Sequence, residues 1–405
     1  MISDTAAASN LRLLFAGRAA RSFAQSVLGL AVPLVLAERG VGPVAIGAYM
    51  TAGAAGGLGL TIGAAVGADR FGRRVVLALL ALLGAGGAAT FALGAPYAVL
   101  LIAGALSSIG RGGGAAAGNA FGPVFAVEQA FIADVTLPER RNRAFGHFGV
   151  VGVVASAAGA LATASAARFG YTPLFWSAVV AELALIVFAW RLHEPPRTHQ
   201  SSPRLSRGAR RIIGKLAITN AVNGLAIGML GPMFILWLHL RYGAPVAAIS
   251  ALFLIANLAG ILPYLSVERV VARVGGAIRT VVASRTVAAL LLIILPFSPT
   301  FFIAGTIFII RTLINVVALP VRQNVAVGNV RSEERARTTA FSNVPVRLTS
   351  ALGPTIAGAI YENGFFEIPL LLAGILQLAN AGLFWYFFRG TRIAGDPLKG
   401  TSRSV

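Results

Sequence analysis

The sequence predicts an all-α membrane protein whose twelve transmembrane helices form two pseudo-symmetric six-helix bundles. The first reason is composition, because 57% of the 405 residues are hydrophobic, only 12% are charged, and the mean hydropathy is +0.78. Soluble domains carry about 25% charged residues, so this chain has too little polar surface for a soluble fold. The other two reasons are twelve long apolar runs and an internal repeat.

The apolar runs are long enough to cross a bilayer, which takes about 20 helical residues. An even number of spans puts both chain ends on one side. About 24 Lys and Arg residues fall in the tails and loops of that side, against about 3 in the opposite loops. We therefore expect a multi-pass protein of the plasma (inner) membrane with both termini cytoplasmic, and residues 1–10 show no cleavable signal pattern. The predicted spans are 11–37, 44–66, 75–93, 97–124, 144–167, 173–191, 212–238, 245–266, 279–297, 300–321, 338–361 and 366–388.

The longest polar stretch divides these spans six and six. Residues 193–211 are rich in Pro, Ser and Arg, and they predict a cytoplasmic linker between an N-terminal bundle at 1–192 and a C-terminal bundle at 212–405. The two bundles are related in sequence. When Glu128-Gln129 is set over Arg322-Gln323, matched pairs include Glu139 with Glu333 and Gly159 with Gly353. Many transporter folds are built from such repeats, with the substrate site between them.

A dense group of charges follows the second apolar run and consists of Asp69, Arg70, Gly72, Arg73 and Arg74. Gly72 permits a tight reversal between two spans. This stretch resembles the signature loop of the major facilitator superfamily, Gly-x-Leu-x-Asp-Arg-x-Gly-Arg-Arg, with Ala65 and Gly67 in place of the first Gly and the Leu. The resemblance implies a transporter whose loop carboxylate locks the two halves together, and it implies that Asp134 pairs with the loop arginines.

Two further motifs resemble those of family antiporters. Arg111 in span 4 is similar to the arginine of an Arg-x-x-Gln-Gly motif, although Gly114 stands where the Gln would be. The resemblance implies proton or substrate coupling, and the alternative is an arginine bonded to carbonyls of a broken helix. Gly353-Pro354 resembles a Gly-Pro motif, but it lies in span 11 instead of span 5. A packing kink at Pro354 is the alternative interpretation.

Polar side chains recur at helical spacing inside several spans. A charged group in the bilayer centre costs at least about 2.5–3.5 kcal/mol, so each needs a partner, a wet cavity or a function. Arg18 and Arg21 either extend toward the cytoplasm or line a cavity. Family members line their central cavity with spans 1, 4, 7 and 10, and the predicted cavity and coupling residues are Arg18, Arg21, Gln25, Arg111, Glu182, Asn220, Asn223, Arg311 and Asn315. Span 11 adds Asn343 and Arg347 on one helical face.

Two acidic residues receive specific hypotheses. Glu182 is interpreted as the sole carboxylate in mid-span, where it is either a proton carrier or a structural, locally bonded group. Glu128 and Arg322 occupy repeat-related positions with opposite charge, so we predict a salt bridge that closes an inner gate. The alternative is that both are solvated charges at the membrane surface. The predicted conformational gate comprises Asp69, Arg70, Gly72, Arg73, Arg74, Glu128, Asp134, Arg322 and Pro354.

These features favour a secondary active transporter that moves a small drug or metabolite by alternating access. We expect proton-coupled efflux of a neutral or anionic substrate, because the deep arginines would repel cations. The alternative is an organic-anion uniporter or exchanger without proton coupling. No catalytic constellation or phosphate-binding loop is present, and there are no cysteines, so we expect neither an enzyme nor a metal or other cofactor. Partners are the substrate, the proton and membrane lipids; we expect a monomer that binds no nucleic acid.

Overall fold

The chain is almost entirely helical in the computed structural model, which describes residues 4–109, 122–194, 206–260, 269–328 and 335–389. No strand occurs within those ranges. The helices are α1 Asp4–Glu38, α2 Pro43–Phe71, α3 Arg73–Ala92, α4 Tyr97–Ser107, α5 Pro123–Val135, α6 Pro138–Ala164, α7 Ala166–Phe169, α8 Thr172–Arg191, α9 Arg207–Tyr242, α10 Val246–Ala259, α11 Ala277–Ile294, α12 Phe301–Gly328, α13 Arg335–Glu362 and α14 Ile368–Phe388.

Most predicted spans correspond to one helix each. Over the described ranges, nine helices are long and apolar enough to cross a membrane, and three shorter apolar helices are α4, α10 and the 123–132 part of α5. Together with α13, which carries two internal prolines, these helices account for all twelve predicted spans. Helix α8 ends at Arg191, where the prediction placed the end of span 6. The all-α membrane fold is therefore confirmed.

Span 4 is the one that differs in form from its prediction. Helix α4 stops at Ser107, and Ser108 has a left-handed backbone with φ 59°. A second helix, α5, then runs to Val135, eleven residues beyond the predicted end at 124. The prediction stopped early because Glu128 and Asp134 resemble the polar end of a span. Glu128 is instead buried, with 1% of its surface exposed, and its charge is compensated by Arg18 and Arg21.

Two sides of the bundle can be told apart by the helix ends. We call the side where α1 begins, α8 ends, α9 begins and α14 ends the terminal face, and the opposite side the far face. Toward the far face, a single apolar core joins both halves of the chain. It runs from Ala24–Leu36 of α1 to Ala226–Leu238 of α9 and includes the stacked rings of Phe234 and Phe308, 4.3 Å apart.

Toward the terminal face, the described apolar core divides into two. One cluster draws only on α1–α8 and contains Leu14, Val76 and Phe148. The other draws only on the second half and contains Leu216, Val281 and Phe384. The halves therefore share apolar packing at the far face and pack separately at the terminal face, among the residues that the structure describes.

Contacts between the halves run mainly along two helix pairs, α2 with α13 and α6 with α10. Gly47 lets α2 approach α13 closely, because a Cβ atom there would collide with the carbonyl oxygen of Pro354. Gly358 does the same on α13, against the carbonyl oxygen of Pro43. Small residues are used in this way where membrane helices pack backbone to backbone.

The outer surface of the bundle is apolar. Large hydrophobic side chains that are more than half exposed occur on helices of both halves, among them Ile62, Leu82, Leu161, Val180 and Phe302. Monomeric soluble proteins rarely expose apolar surface on this scale. These side chains are suited to contact lipid acyl chains.

Candidate functional site: buried charges and the contacts between the halves

Four ionisable side chains meet inside the first half, and we call them the buried charge cluster: Arg18, Arg21, Glu128 and Glu182. They come from α1, α5 and α8, and none is more than 7% exposed. The guanidinium of Arg18 lies 4.9 Å from the ring centre of Phe125 on α5 and 5.0 Å from that of Phe148 on α6. Arg18 therefore does not extend to the terminal face, because cation–π contacts hold it within the bundle.

An ion pair joins α1 to α8 within this cluster. Nη1 of Arg21 donates to Oε1 of Glu182 over 2.5 Å, and Gln25, one turn along α1, lies beside the same carboxylate. Gly84 of α3 makes room for the pair, because a Cβ atom there would lie 2.8 Å from Nη1 of Arg21 and 2.9 Å from Oε2 of Glu182. The pair is thus enclosed by three helices of the first half.

Glu128 completes the charge balance of the cluster. It interacts electrostatically with Arg18 and Arg21, and neither of its carboxylate oxygens has a hydrogen-bond partner among the described residues. Glu182 is therefore not the only buried carboxylate of the first half, since Glu128 is 1% exposed. Two arginines face two carboxylates, so these residues do not form the uncompensated positive centre that the sequence suggested.

The second half holds its buried arginines with amides. Nη2 of Arg311 donates to Oε1 of Gln377 over 3.1 Å, and no carboxylate pairs with Arg311 among the described side chains. Arg285 of α11 donates to Asn380, and Asn380 donates in turn to the carbonyl of Thr219 on α9. Arg285 was not among the predicted residues, although a lone arginine in an apolar span was the available signal.

The remaining predicted cavity residues are dispersed. Asn220 is 1% exposed, and its Nδ2 donates to the carbonyl of Ser342 over 2.5 Å, a contact between α9 and α13. Asn223 is also buried, and Asn315 is partly exposed. Arg111 lies outside the described residues. The cavity role of these residues stays a prediction.

The charged loop folds as its residues suggest. Gly72 joins α2 to α3 with φ +99°, a backbone conformation that favours glycine. Nη1 of Arg73 lies 2.6 Å from Oδ2 of Asp134, so the predicted pairing of Asp134 with a loop arginine is confirmed. Arg70 is exposed and lies over the ring of Phe71.

The last loop arginine contacts the start of the predicted linker. Nη2 of Arg74 donates to the carbonyl of Trp190 over 2.7 Å, and Oε1 of Glu194 accepts from the backbone N–H of Arg74 over 2.7 Å. Asn10 and His193 exchange two hydrogen bonds of 2.9 Å. The side chains of Asp69 and Arg322 lie outside the described part, so the predicted Glu128–Arg322 gate stays a prediction.

Polar contacts also cross between the halves, and none of them was predicted from the sequence. Along α2 and α13, Oε2 of Glu362 accepts from the N–H of Val44 over 2.9 Å, and Thr355 donates to Thr51 over 2.7 Å. Nearer the terminal face, Nη1 of Arg347 donates to Oγ1 of Thr61 over 3.1 Å. Pro354 is buried in the same interface beside Gly47, within a continuous α13.

The fold and the contacts between its halves define a membrane transporter, a class without enzymatic activity. Residues 14–217, about half of the chain, match the family described as "Major Facilitator Superfamily", and the chain belongs to this family. The predicted membership of this superfamily is thereby confirmed.

Relatives and solved structures agree with this placement. "Multidrug resistance protein MdtH" of Yersinia pestis (strain Pestoides F) is 25% identical over 354 residues, covering 82% of each chain. The crystal structure of the nucleoside transporter NupG superposes with a TM-score of 0.71 at 15% identity, over 94% of this chain and 99% of that one. A bacterial homologue of the human lysosomal transporter Spinster, in an inward-facing and occupied conformation, superposes with a TM-score of 0.72 at 17% identity, over 96% of this chain and 98% of that one.

Proposed function

We propose that this transporter is a proton-coupled exporter of a small drug or metabolite, neutral or anionic, in the plasma (inner) membrane. It works as a monomer of two bundles, 1–192 and 212–405, that rock about a central site. The MdtH relative is named for multidrug resistance, which supports efflux as the direction. The excess of basic residues on the terminal face supports a cytoplasmic location for that face and for both termini.

The division of the apolar core supports alternating access. Packing between the halves is continuous at the far face and absent from the described core at the terminal face. We infer that the chain is closed toward the far face and open toward the terminal face. With the terminal face in the cytoplasm, this is the state in which an exporter takes up its substrate.

The observation that carries proton coupling is the buried charge cluster. Glu182 is held by Arg21 at 2.5 Å, whereas Glu128 has no hydrogen-bond partner among the described residues. Buried acidic groups in membrane segments mark proton relays in many pumps and transporters. We assign the proton to Glu128, whose protonation would change the net charge of a cluster that is otherwise balanced. In that account Glu182 keeps α1 and α8 together.

Uptake into proteoliposomes tests this proposal. Radiolabelled chloramphenicol, which is neutral, and p-aminohippurate, which is an anion, would be offered with and without an acidic vesicle interior. We expect the acidic interior to raise uptake of at least one compound, and we expect Glu128→Gln to remove that increase while exchange without a gradient continues. The matched control is Glu367→Gln, a partly exposed carboxylate 3.9 Å from Arg241.

Two results would contradict the proposal. Wild-type uptake that is the same with and without the pH gradient for both compounds would exclude proton coupling. A Glu128→Gln protein that still responds to the gradient would leave coupling in place and would remove Glu128 as the carrier.

The second candidate is an organic-anion uniporter or exchanger without proton coupling. Arg311 favours it, because this buried cation has a neutral amide as its described partner. A positive second half attracts anions irrespective of any proton. Uptake of p-aminohippurate that depends on anion exchange and is insensitive to pH would select this alternative.

A further inference from the structure

Arg347 occupies a distinctive position between the two halves. It lies near the middle of α13, fifteen residues from Glu362, or about 22 Å along a helix. Its bond to Thr61 is the polar contact between α2 and α13 that lies nearest the terminal face among those described. Closer to the terminal face, the described apolar core is no longer shared between the halves. Arg347 thus lies where the apolar packing shared by the two halves ends.

The side chain does not belong to the lipid-facing surface. The exposed apolar residues of α13 recur every three or four positions, at Phe341, Val344, Leu348 and Leu352, and they form one stripe. Arg347 lies off that stripe and reaches across to the first half. A lipid headgroup has no access to this depth, because the bilayer centre contains only acyl chains.

The guanidinium has more N–H donors than its bond to Thr61 uses. An arginine carries five N–H groups in a planar fork, and one nitrogen of Arg347 bonds a neutral hydroxyl. No carboxylate pairs with Arg347 among the side chains that the structure describes. Arg347 is partly exposed, so its guanidinium is not fully enclosed by the packed helices. A planar fork of this kind fits carboxylate and phosphate oxygens two at a time.

We infer that Arg347, together with the hydroxyl of Thr61, recognises an anionic group of the transported substrate. The substrate class is therefore a small molecule with a carboxylate or phosphate-like group, and cations are excluded. Because the two residues come from different halves, an anion bound there touches both bodies that move during transport. This inference rests on the proposed function and narrows its neutral-or-anionic substrate to the anionic class.

Binding can be measured without transport. Purified full-length protein in a neutral detergent, which contributes no lipid phosphate, would be heated at increasing concentrations of p-aminohippurate or inorganic phosphate. Sodium chloride controls for ionic strength and choline chloride tests a cation. A ligand that binds only the folded state raises the unfolding midpoint, and the half-saturating concentration reports affinity.

We expect at least one of the two anions, but not choline, to raise the midpoint of the wild type. Loss of a charge-assisted hydrogen bond should increase the half-saturating concentration about tenfold or more in Arg347→Gln. Arg347→Lys keeps the charge but not the planar fork, so its half-saturating concentration should lie between those of the wild type and Arg347→Gln. This variant also tests the inference if the Gln variant does not fold. The matched control is Arg168→Gln, which removes an exposed arginine lying over Phe169.

The inference is overturned if neither anion shifts the wild type, if choline shifts it equally, or if Arg347→Gln and Arg347→Lys both bind like the control. None of these readings depends on a proton gradient. A failure here therefore leaves proton coupling intact, and a failure of proton coupling leaves anion binding intact.

Discussion

The ion pair between Arg21 and Glu182 allows a quantitative prediction about stability. Replacing Glu182 by Leu leaves Arg21 in an apolar site, with 9% of its side chain exposed and its 2.5 Å partner removed. Breaking a buried pair from one side costs about 3–5 kcal/mol, because an uncompensated charge remains. Removing both partners, Arg21→Met with Glu182→Leu, removes one charge of each sign and should restore most of this loss.

The loss converts to a temperature that can be measured. An unfolding entropy of about 2.1 cal/mol/K per residue gives about 0.85 kcal/mol/K for 405 residues. The midpoint of thermal unfolding in detergent should therefore fall by about 4–6 °C in the single variant and by much less in the double variant. The surface pair of Arg241 and Glu367, 3.9 Å apart, supplies the control, because Glu367→Gln should cost at most about 1 kcal/mol.

Two outcomes of these measurements would contradict the prediction. If the losses in Glu182→Leu and in Arg21→Met add up to the loss in the double variant, the two side chains are not coupled, and the pair contributes nothing beyond the packing of each residue. A single variant that melts like the Glu367 control would likewise show that the charge is solvated.

Three other perturbations follow from the geometry. Gly72→Ala forces a side chain into φ +99° and should cost about 1–3 kcal/mol, measured as a lower unfolding midpoint than that of an Ala at exposed Gly146. Gly47→Val should push α2 away from α13. In this cysteine-free chain, Thr51→Cys supplies a single thiol at that interface, and the thiol should then react faster with an impermeant maleimide. Unchanged labelling would contradict the tight contact at the far face. Asp134→Asn removes a half-exposed partner of Arg73 and should change stability by less than about 1 kcal/mol while slowing transport; a large stability loss would show a structural role instead.

Local patterns in the sequence were sufficient for much of the fold. Apolar length located the spans, and helix α8 ends at Arg191 as expected. The loop at Gly72 follows from its spacing of charges, and so does the pairing of Arg73 with Asp134. Each of these features depends on neighbouring residues or on a motif that fixes its own partner.

The long-range contacts could not be predicted in the same way. Glu128 lies 110 positions from Arg18 in the chain, and only the packing of α5 against α1 reveals that they interact. The pair of Arg21 and Glu182 likewise needs Gly84 of a third helix to leave space. Hydropathy therefore assigned Glu128 to a membrane surface, although two neighbouring arginines compensate its burial.

The hydrogen bonds of His193 and Glu194 have a mechanical consequence. They attach the first two residues of the predicted linker to the first half, and α9 begins at Arg207. Twelve residues are left to join the two bodies, and such a strand reaches at most about 40 Å when fully extended. The tether therefore limits how far the end of α8 and the start of α9 can separate, and it dictates no particular distance below that limit.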